Sequence, residues 1–127
     1  MSRLGITVRS EAEFTIIHVV GDLDMQTAPK LDAALHEARA PGVPLIVDLA
    51  RVGFLDTYGL RSLLLANAEA VPWGAPLRIV ASPAVEQTIR LAGADQVLSV
   101  YSDEEHALVG PASPPVRRAP GPPDRST

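Results

Sequence analysis

Asp56 and Thr57 stand between an apolar run and a helix-forming run, with Gly59 two residues on. A hydroxyl at the start of a helix faces unsatisfied backbone N–H groups and a partial positive charge. Two readings follow. Thr57 caps the helix through its own oxygen. Alternatively it is a phosphate acceptor, whose product would carry about −1.5 to −2 charges at neutral pH and would sit at a natural anion site. A second acidic segment, Gly21-Asp22-Leu23-Asp24, also lies between a strand-like and a helix-like run. Loops at the same ends of parallel strands gather together, so Asp22, Asp24 and Asp56 are expected on one acidic rim. Such a rim serves partner recognition or a metal. Two or three aspartates do not by themselves guarantee the convergent oxygen ligands that a hard cation needs, and no metal site is expected.

Enzyme chemistry finds little support. The chain has no cysteine, which removes thiolate catalysis and cysteine-based metal sites. It has no GxSxG elbow, no GxxxxGK[ST] phosphate loop and no GxGxxG motif. His18, His36 and His106 share no short-range ligand spacing and read as structural or exposed side chains. A threonine and carboxylates without an arguable base do not make a catalytic set. No cofactor is implied. Trp73, just before Gly74, reads as a cover for the edge of the core.

The elements that must position these residues alternate in kind. Ile6–Val8 and Phe14–Val20 read as strands around a turn at Glu11–Ala12, followed by a loop from Leu23 to Thr27. Thr27 is expected to cap a helix that carries Pro29 in its first turn. Ala28, Leu31, Ala34, Leu35 and Ala38 would form its buried stripe. Leu45–Leu49 is a buried strand, closed by a turn at Arg51–Gly53. A second helix runs from Asp56-Thr57 to Pro72, with Leu60, Leu63 and Leu64 on one face. Leu77–Val80 is a strand. Ser82-Pro83 opens a third helix that stops at Gly93. Val97–Val100 is the last strand, and Ser102 with Glu105 would form a capping box for a helix over 103–109. The order ββαβαβαβα predicts an α/β domain. It would be a mixed, mostly parallel sheet of about five strands with about four helices packed on it, its first two strands an antiparallel hairpin.

Composition agrees. The chain has 127 residues, 46% of them hydrophobic but only 4% aromatic, so one aliphatic core is expected. From Pro111 the sequence changes to PASPPVRRAPGPPDRST, which holds six of the twelve prolines. It lacks the apolar residues to offset its ordering entropy. The domain is therefore placed at 1–110, with 111–127 a disordered Pro/Arg-rich tail. Three arginines against one aspartate give the tail a charge of +2, so residues 1–110 carry −6 of the formal net −4. An acidic domain repels phosphate backbones, and no direct nucleic-acid partner is expected. No segment reaches ~20 apolar residues, so no membrane association is expected, and the expected location is the cytoplasm.

Residues 47–66, VDLARVGFLDTYGLRSLLLA, closely resemble the signature of STAS-domain anti-sigma factor antagonists: an apolar strand, a short turn, an apolar pair, then Asp-Ser/Thr-x-Gly-Leu opening a helix. GDLDMQTAPKL, residues 21–31, is similar to the family's second hallmark. The resemblance extends in element order over residues 5–109. It implies a non-enzymatic protein that binds an anti-sigma factor, usually a serine/threonine protein kinase, and so releases a sigma factor. It implies that the kinase phosphorylates the hydroxyl after the signature aspartate, here Thr57, to weaken binding, and that a phosphatase restores it. Asp24 and Asp56 match the flanking aspartates, and Gly59 and Leu60 match the helix opening. Tyr58 stands where many members have a second serine, and Arg61 where a small residue is common. Asp22, Asp24, Asp56, Thr57, Tyr58, Gly59, Leu60 and Arg61 are thus the expected partner-binding residues. The family's range leaves an alternative: an adaptor subunit of a lipid-transport complex or signalling scaffold, indifferent to phosphorylation. A ligand-binding or hydrolytic protein that uses the acidic rim is a third reading.

Overall fold

In the strand Thr15–Leu23 (β2) Ile17 and Val19 point to one side and Ile16 and His18 to the other, and both isoleucines are fully buried. A strand buried on both faces must be covered twice, and that requirement shapes the domain. The computed structural model describes residues 4–110; the Pro/Arg-rich tail expected at 111–127 lies outside the described residues. Leu4–Ser10 (β1) pairs antiparallel with β2 as a hairpin. Leu45–Leu55 (β3), Arg78–Ala81 (β4) and Ser99–Tyr101 (β5) follow in parallel, and the spatial order equals the chain order, β1-β2-β3-β4-β5. The expected mixed, mostly parallel sheet of five strands with four helices is what forms.

Each step from β2 to β5 moves one strand in the same direction. Right-handed crossovers then deliver every connecting helix to the same face. Ala28–Ala38 (α1), Thr57–Ala70 (α2) and Pro83–Leu91 (α3) pack there. They bury Leu31, Leu35, Leu60, Leu63, Val85 and Ile89 against Ile17, Val19, Val47, Leu49 and Ile79. The last helix, Glu104–Val109 (α4), covers the other face, where Ala107 meets Ile16, Ile46 and Val80.

Several boundaries differ from those expected. The segment Arg51–Gly53 is not a turn, because β3 continues to Leu55. β2 likewise runs on through Leu23, so the two strands extend alongside each other and satisfy each other's backbone. β3 accommodates two register shifts on the way: one between the His18–Asp48 and Val20–Arg51 pairs, one between Gly21–Val52 and Asp22–Phe54. Bulges of this kind are read from pairing, not from composition. Thr27 does not cap α1 with its side chain; its hydroxyl instead donates to the Asp22 carbonyl at 2.7 Å. Ser102 is not the cap of α4. Asp103 is, accepting from the His106 N–H at 2.8 Å, because a carboxylate one residue later reaches the free N–H. Ser82 does cap α3, accepting from Val85 N, and its hydroxyl also donates to the Val52 carbonyl at 2.7 Å. Gly93 ends α3 region with φ +74°, a conformation that suits a residue without Cβ.

Candidate functional site at the carboxyl ends of strands β2 and β3

The parallel pairing of β2 and β3 brings their carboxyl ends side by side, with Asp22 opposite Phe54 and Leu23 opposite Leu55. The two loops that follow are tied together: the Asp56 N–H donates to the Leu23 carbonyl at 3.0 Å. The acidic segments around Asp22-Asp24 and Asp56 therefore meet at one edge.

Asp24 and Asp56 each hold backbone N–H groups there, whereas Asp22 is engaged through its backbone carbonyl, which accepts from the Thr27 hydroxyl. Asp24 Oδ1 accepts from the N–H groups of Gln26 and Thr27 at 2.9 and 3.0 Å, and its own N–H donates to Thr27 Oγ1. It thus closes the turn ahead of α1, while the first N–H of the helix, that of Ala28, goes to the Asp24 carbonyl. Asp56 Oδ1 accepts from Tyr58 N at 2.9 Å and Gly59 N at 3.1 Å, and Asp56 is the N-cap of α2.

This alters the reading of Thr57. It is the first helical residue and not the cap. The N–H groups that would cradle a phosphate are already taken by the Asp56 carboxylate. The Thr57 side chain is exposed, and among the described residues its hydroxyl has no hydrogen-bond partner. A carboxylate cap beats a hydroxyl cap here because it accepts two N–H bonds at once and carries the charge that the helix end favours.

Gly59 explains how α2 comes so near. A Cβ at this position would lie 2.6 Å from Leu55 Cδ1, 2.8 Å from Leu23 Cβ and 3.2 Å from the Leu23 carbonyl oxygen. The first turn of α2 rests directly on the strand ends. Leu60 is buried beside it, while Tyr58 is 47% exposed. Tyr58 and Arg61 line a shallow cleft with Met25, Asp32 and Leu65, between the starts of α1 and α2. Phe54 and Met25 are also more than half exposed at this edge. Thr57 thereby stands beside Asp56 at the start of α2, next to the cleft that Tyr58 and Met25 line. Gly59 and Leu60 contribute by placing the helix rather than by offering surface.

Elsewhere, Trp73 lies in a short 3-10 turn, Val71–Trp73, with the Arg39 guanidinium over its ring at 5.1 Å. It lines a groove between α1 and α2 together with Leu35 and Ala66. The His36 ring contacts Arg39, and His106 joins the Asp103 cap. His18 does something that spacing along the chain did not reveal. It stands opposite Asp48 in the β2–β3 ladder, on the face that α4 covers. Its Nε2 lies 2.6 Å from Glu104 Oε2 and 3.9 Å from Asp48 Oδ2. Burial, then the neighbouring Glu104 carboxylate, pushes the Asp48 carboxyl above the ordinary range. Glu104 is held below its ordinary value by its hydrogen bond with Asp48 and by His18 and Arg9. His18 and Glu104 are 86 residues apart, and only the strand order and the return of α4 join them.

No curated protein matches this chain in sequence comparison. Among solved structures, an anti-sigma factor antagonist from Mycobacterium paratuberculosis is similar over 84% of this chain and 92% of its own, at 29% identity and a TM-score of 0.77. The antisigma-factor antagonist STAS domain from Rhodobacter sphaeroides is similar at 24% identity and a TM-score of 0.53, over 67% of this chain and 94% of its own. The Bacillus cell fate determinant SpoIIAA in its phosphorylated form is similar at 19% identity and a TM-score of 0.52, over 80% and 95%. These last two likenesses concern the fold. The family model described as "Mlab, STAS domain" matches residues 6–100, which include both acidic segments, the Asp56-Thr57 helix start and every strand but the first two residues of β1 and the last of β5. The chain is a member of the STAS domain family.

Proposed function

We propose that this protein is an anti-sigma factor antagonist, that it binds a serine/threonine-kinase type of anti-sigma factor through the β2–β3 edge, and that phosphorylation of Thr57 switches the binding off. The observation that carries the reading is the state of Thr57. It is an exposed threonine with an unengaged hydroxyl, set between Asp56 and the exposed Tyr58, whose cleft Met25 also lines. A kinase can reach such a hydroxyl without unfolding the helix start. The Mycobacterium neighbour, named as an anti-sigma factor antagonist, supports the partner class. The Bacillus neighbour has been solved phosphorylated.

The charge balance gives the direction of the switch. Because Asp56 already holds the Tyr58 and Gly59 N–H groups, a phosphate on Thr57 does not find them free. It adds about −1.5 to −2 charges next to a carboxylate, at a surface that must be desolvated when the partner docks. Each ~1.4 kcal/mol of such penalty lowers affinity tenfold. Dephosphorylation by a phosphatase would restore the complex.

The test is binding of the purified chain to the kinase-type anti-sigma factor from its own host, by calorimetry, with incubation in ATP followed by phosphopeptide mapping. Wild type and Thr57→Ala should bind alike. Thr57→Glu should bind at least about tenfold more weakly, and the phosphate should map to Thr57. Equal binding of Thr57→Glu would remove the switch and favour a constitutive STAS adaptor.

A further inference from the structure

We infer that His18, Asp48 and Glu104 form a binding site for a divalent transition-metal cation of the Zn2+ class, which fastens helix α4 to the back of the sheet. The site is separate from the Thr57 edge. His18 and Asp48 are cross-strand partners in the β2–β3 ladder, and both point to the face opposite α1, α2 and α3. Glu104, the first residue of α4, comes down onto them. One ligand atom from each residue can be chosen so that all lie within 4.8 Å of one another. The side chains are 35%, 13% and 30% exposed, so an ion can enter without unfolding.

The donor set fits a borderline cation. Imidazole with two carboxylate oxygens suits Zn2+, Co2+ or Mn2+, whereas Mg2+ and Ca2+ take oxygen ligands alone. Bonds of ~2.0–2.1 Å in a tetrahedral site put ligand atoms roughly 3.4 Å apart. The His18 Nε2 to Asp48 Oδ2 distance of 3.9 Å must close slightly, and the 2.6 Å contact with Glu104 must open. Glu104 is the member able to move, being on a long side chain at a helix start. Two ligands on neighbouring strands of a sheet are already positioned. Three protein ligands leave a fourth position for water.

The electrostatics of the cluster point the same way. One carboxylate oxygen of Asp48 and one of Glu104 lie within 4.8 Å of each other and of a His18 ring nitrogen, so two negative charges are held close together on one face of the sheet. A divalent cation between them offsets both carboxylates. Arg9 lies 4.0 Å from the other oxygen of Glu104, Oε1, which leaves Oε2 for the ion. Arg9 offsets one carboxylate charge and not two.

The consequence falls on α4. This helix has six residues, too few to persist alone. Its carboxyl end is held by Arg78, whose Nη1 donates to the Ala107 and Leu108 carbonyls at 2.8 and 3.2 Å. Its amino end rests on the cluster. A metal there converts one contact between residues distant in sequence into a coordinate crosslink.

The experiment uses the full, untagged chain after chelator treatment. Titration with ZnCl2 should show one site by calorimetry and raise the melting temperature. MgCl2 and CaCl2 should do neither. His18→Gln and Glu104→Gln should each weaken Zn2+ by more than about 100-fold, above what loss of an outer-shell partner costs. Asp24→Asn, at the other edge, should leave it unchanged. Mn2+ should broaden NMR signals of β2, β3 and α4, a readout that needs no variant. Absence of Zn2+ binding in the folded wild type would overturn the site. So would binding that survives both substitutions, or broadening centred on His36, His106 or Asp22.

Discussion

Replacing Gly59 with alanine tests how the helix carrying Thr57 is seated. The added Cβ would lie 2.6 Å from Leu55 Cδ1 and 2.8 Å from Leu23 Cβ, where carbon atoms prefer roughly 3.5–4.0 Å. Leu55 could swing its methyl away, but it is only 3% exposed and has nowhere to go. Leu23 Cβ is attached directly to a backbone held by the β2–β3 ladder. The start of α2 must therefore rise by roughly 1 Å. Overpacking of this kind costs about 1–3 kcal/mol. The rise also loosens the Asp56 N–H bond to the Leu23 carbonyl, worth about 1 kcal/mol. Alanine returns about 0.8–1.0 kcal/mol in helix propensity. The last two nearly cancel, so a net loss of about 1–3 kcal/mol is expected. Urea unfolding monitored by circular dichroism would read it as a lower midpoint at unchanged slope. Gly53→Ala is the control. Its Cβ would meet only Asp22 Oδ1, at 3.9 Å, and should change stability by no more than about 0.5 kcal/mol. A Gly59→Ala variant as stable as wild type would show that α2 does not rest on the strand ends as described.

Three further outcomes are expected. Asp56→Ala should destabilise the protein by about 0.5–2 kcal/mol in urea unfolding through loss of the α2 cap, and Asp56→Ser should recover much of it. Asn67→Ala should cost about 1–3 kcal/mol, because Asn67 Oδ1 is the buried acceptor for the Leu77 N–H at 3.0 Å; a loss below 0.5 kcal/mol would mean that water replaces it. Arg78→Met should speed amide exchange across α4 while leaving β2 and β3 protected, since Arg78 holds the carboxyl end of that helix and lies outside the main core.

The proposed partner-binding edge divides into residues that offer surface and residues that shape it. Thr57, Tyr58 and Arg61 stand outward, with Phe54 and Met25 beside them. Gly59, Leu60 and the Asp24 and Asp56 carboxylates set the backbone that presents them. The same division predicts different failures: changes in the first group should alter binding with little loss of stability, and changes in the second should alter both.

Fold class, and the placing of the two acidic segments after strands β2 and β3, were legible along the chain because they depend on local signals. Period-two and helical spacing of aliphatic residues marked the strands and helices. Ser82-Pro83 and Gly93 marked the limits of α3, and the two acid-rich segments each followed a strand. The ends of elements were less legible. Thr57 and Ser102 each had a competent hydroxyl, but a neighbouring aspartate took the free N–H groups of the helix start, because a charged acceptor forms the stronger bond; before α1 the Asp24 carboxylate instead holds the turn residues Gln26 and Thr27. The continuation of β2 and β3 to Leu23 and Leu55 depended on each strand supplying the other's backbone partners. What the amino-acid order determined alone was which residues are apolar at which period, and hence an α/β sheet with Asp24, Asp56 and Thr57 after its strands. Only the tertiary structure decided that Asp56 and not Thr57 caps α2, and that His18, Asp48 and Glu104 meet. Those outcomes turn on distances between atoms remote in sequence, set by strand pairing and helix return, which no local spacing encodes.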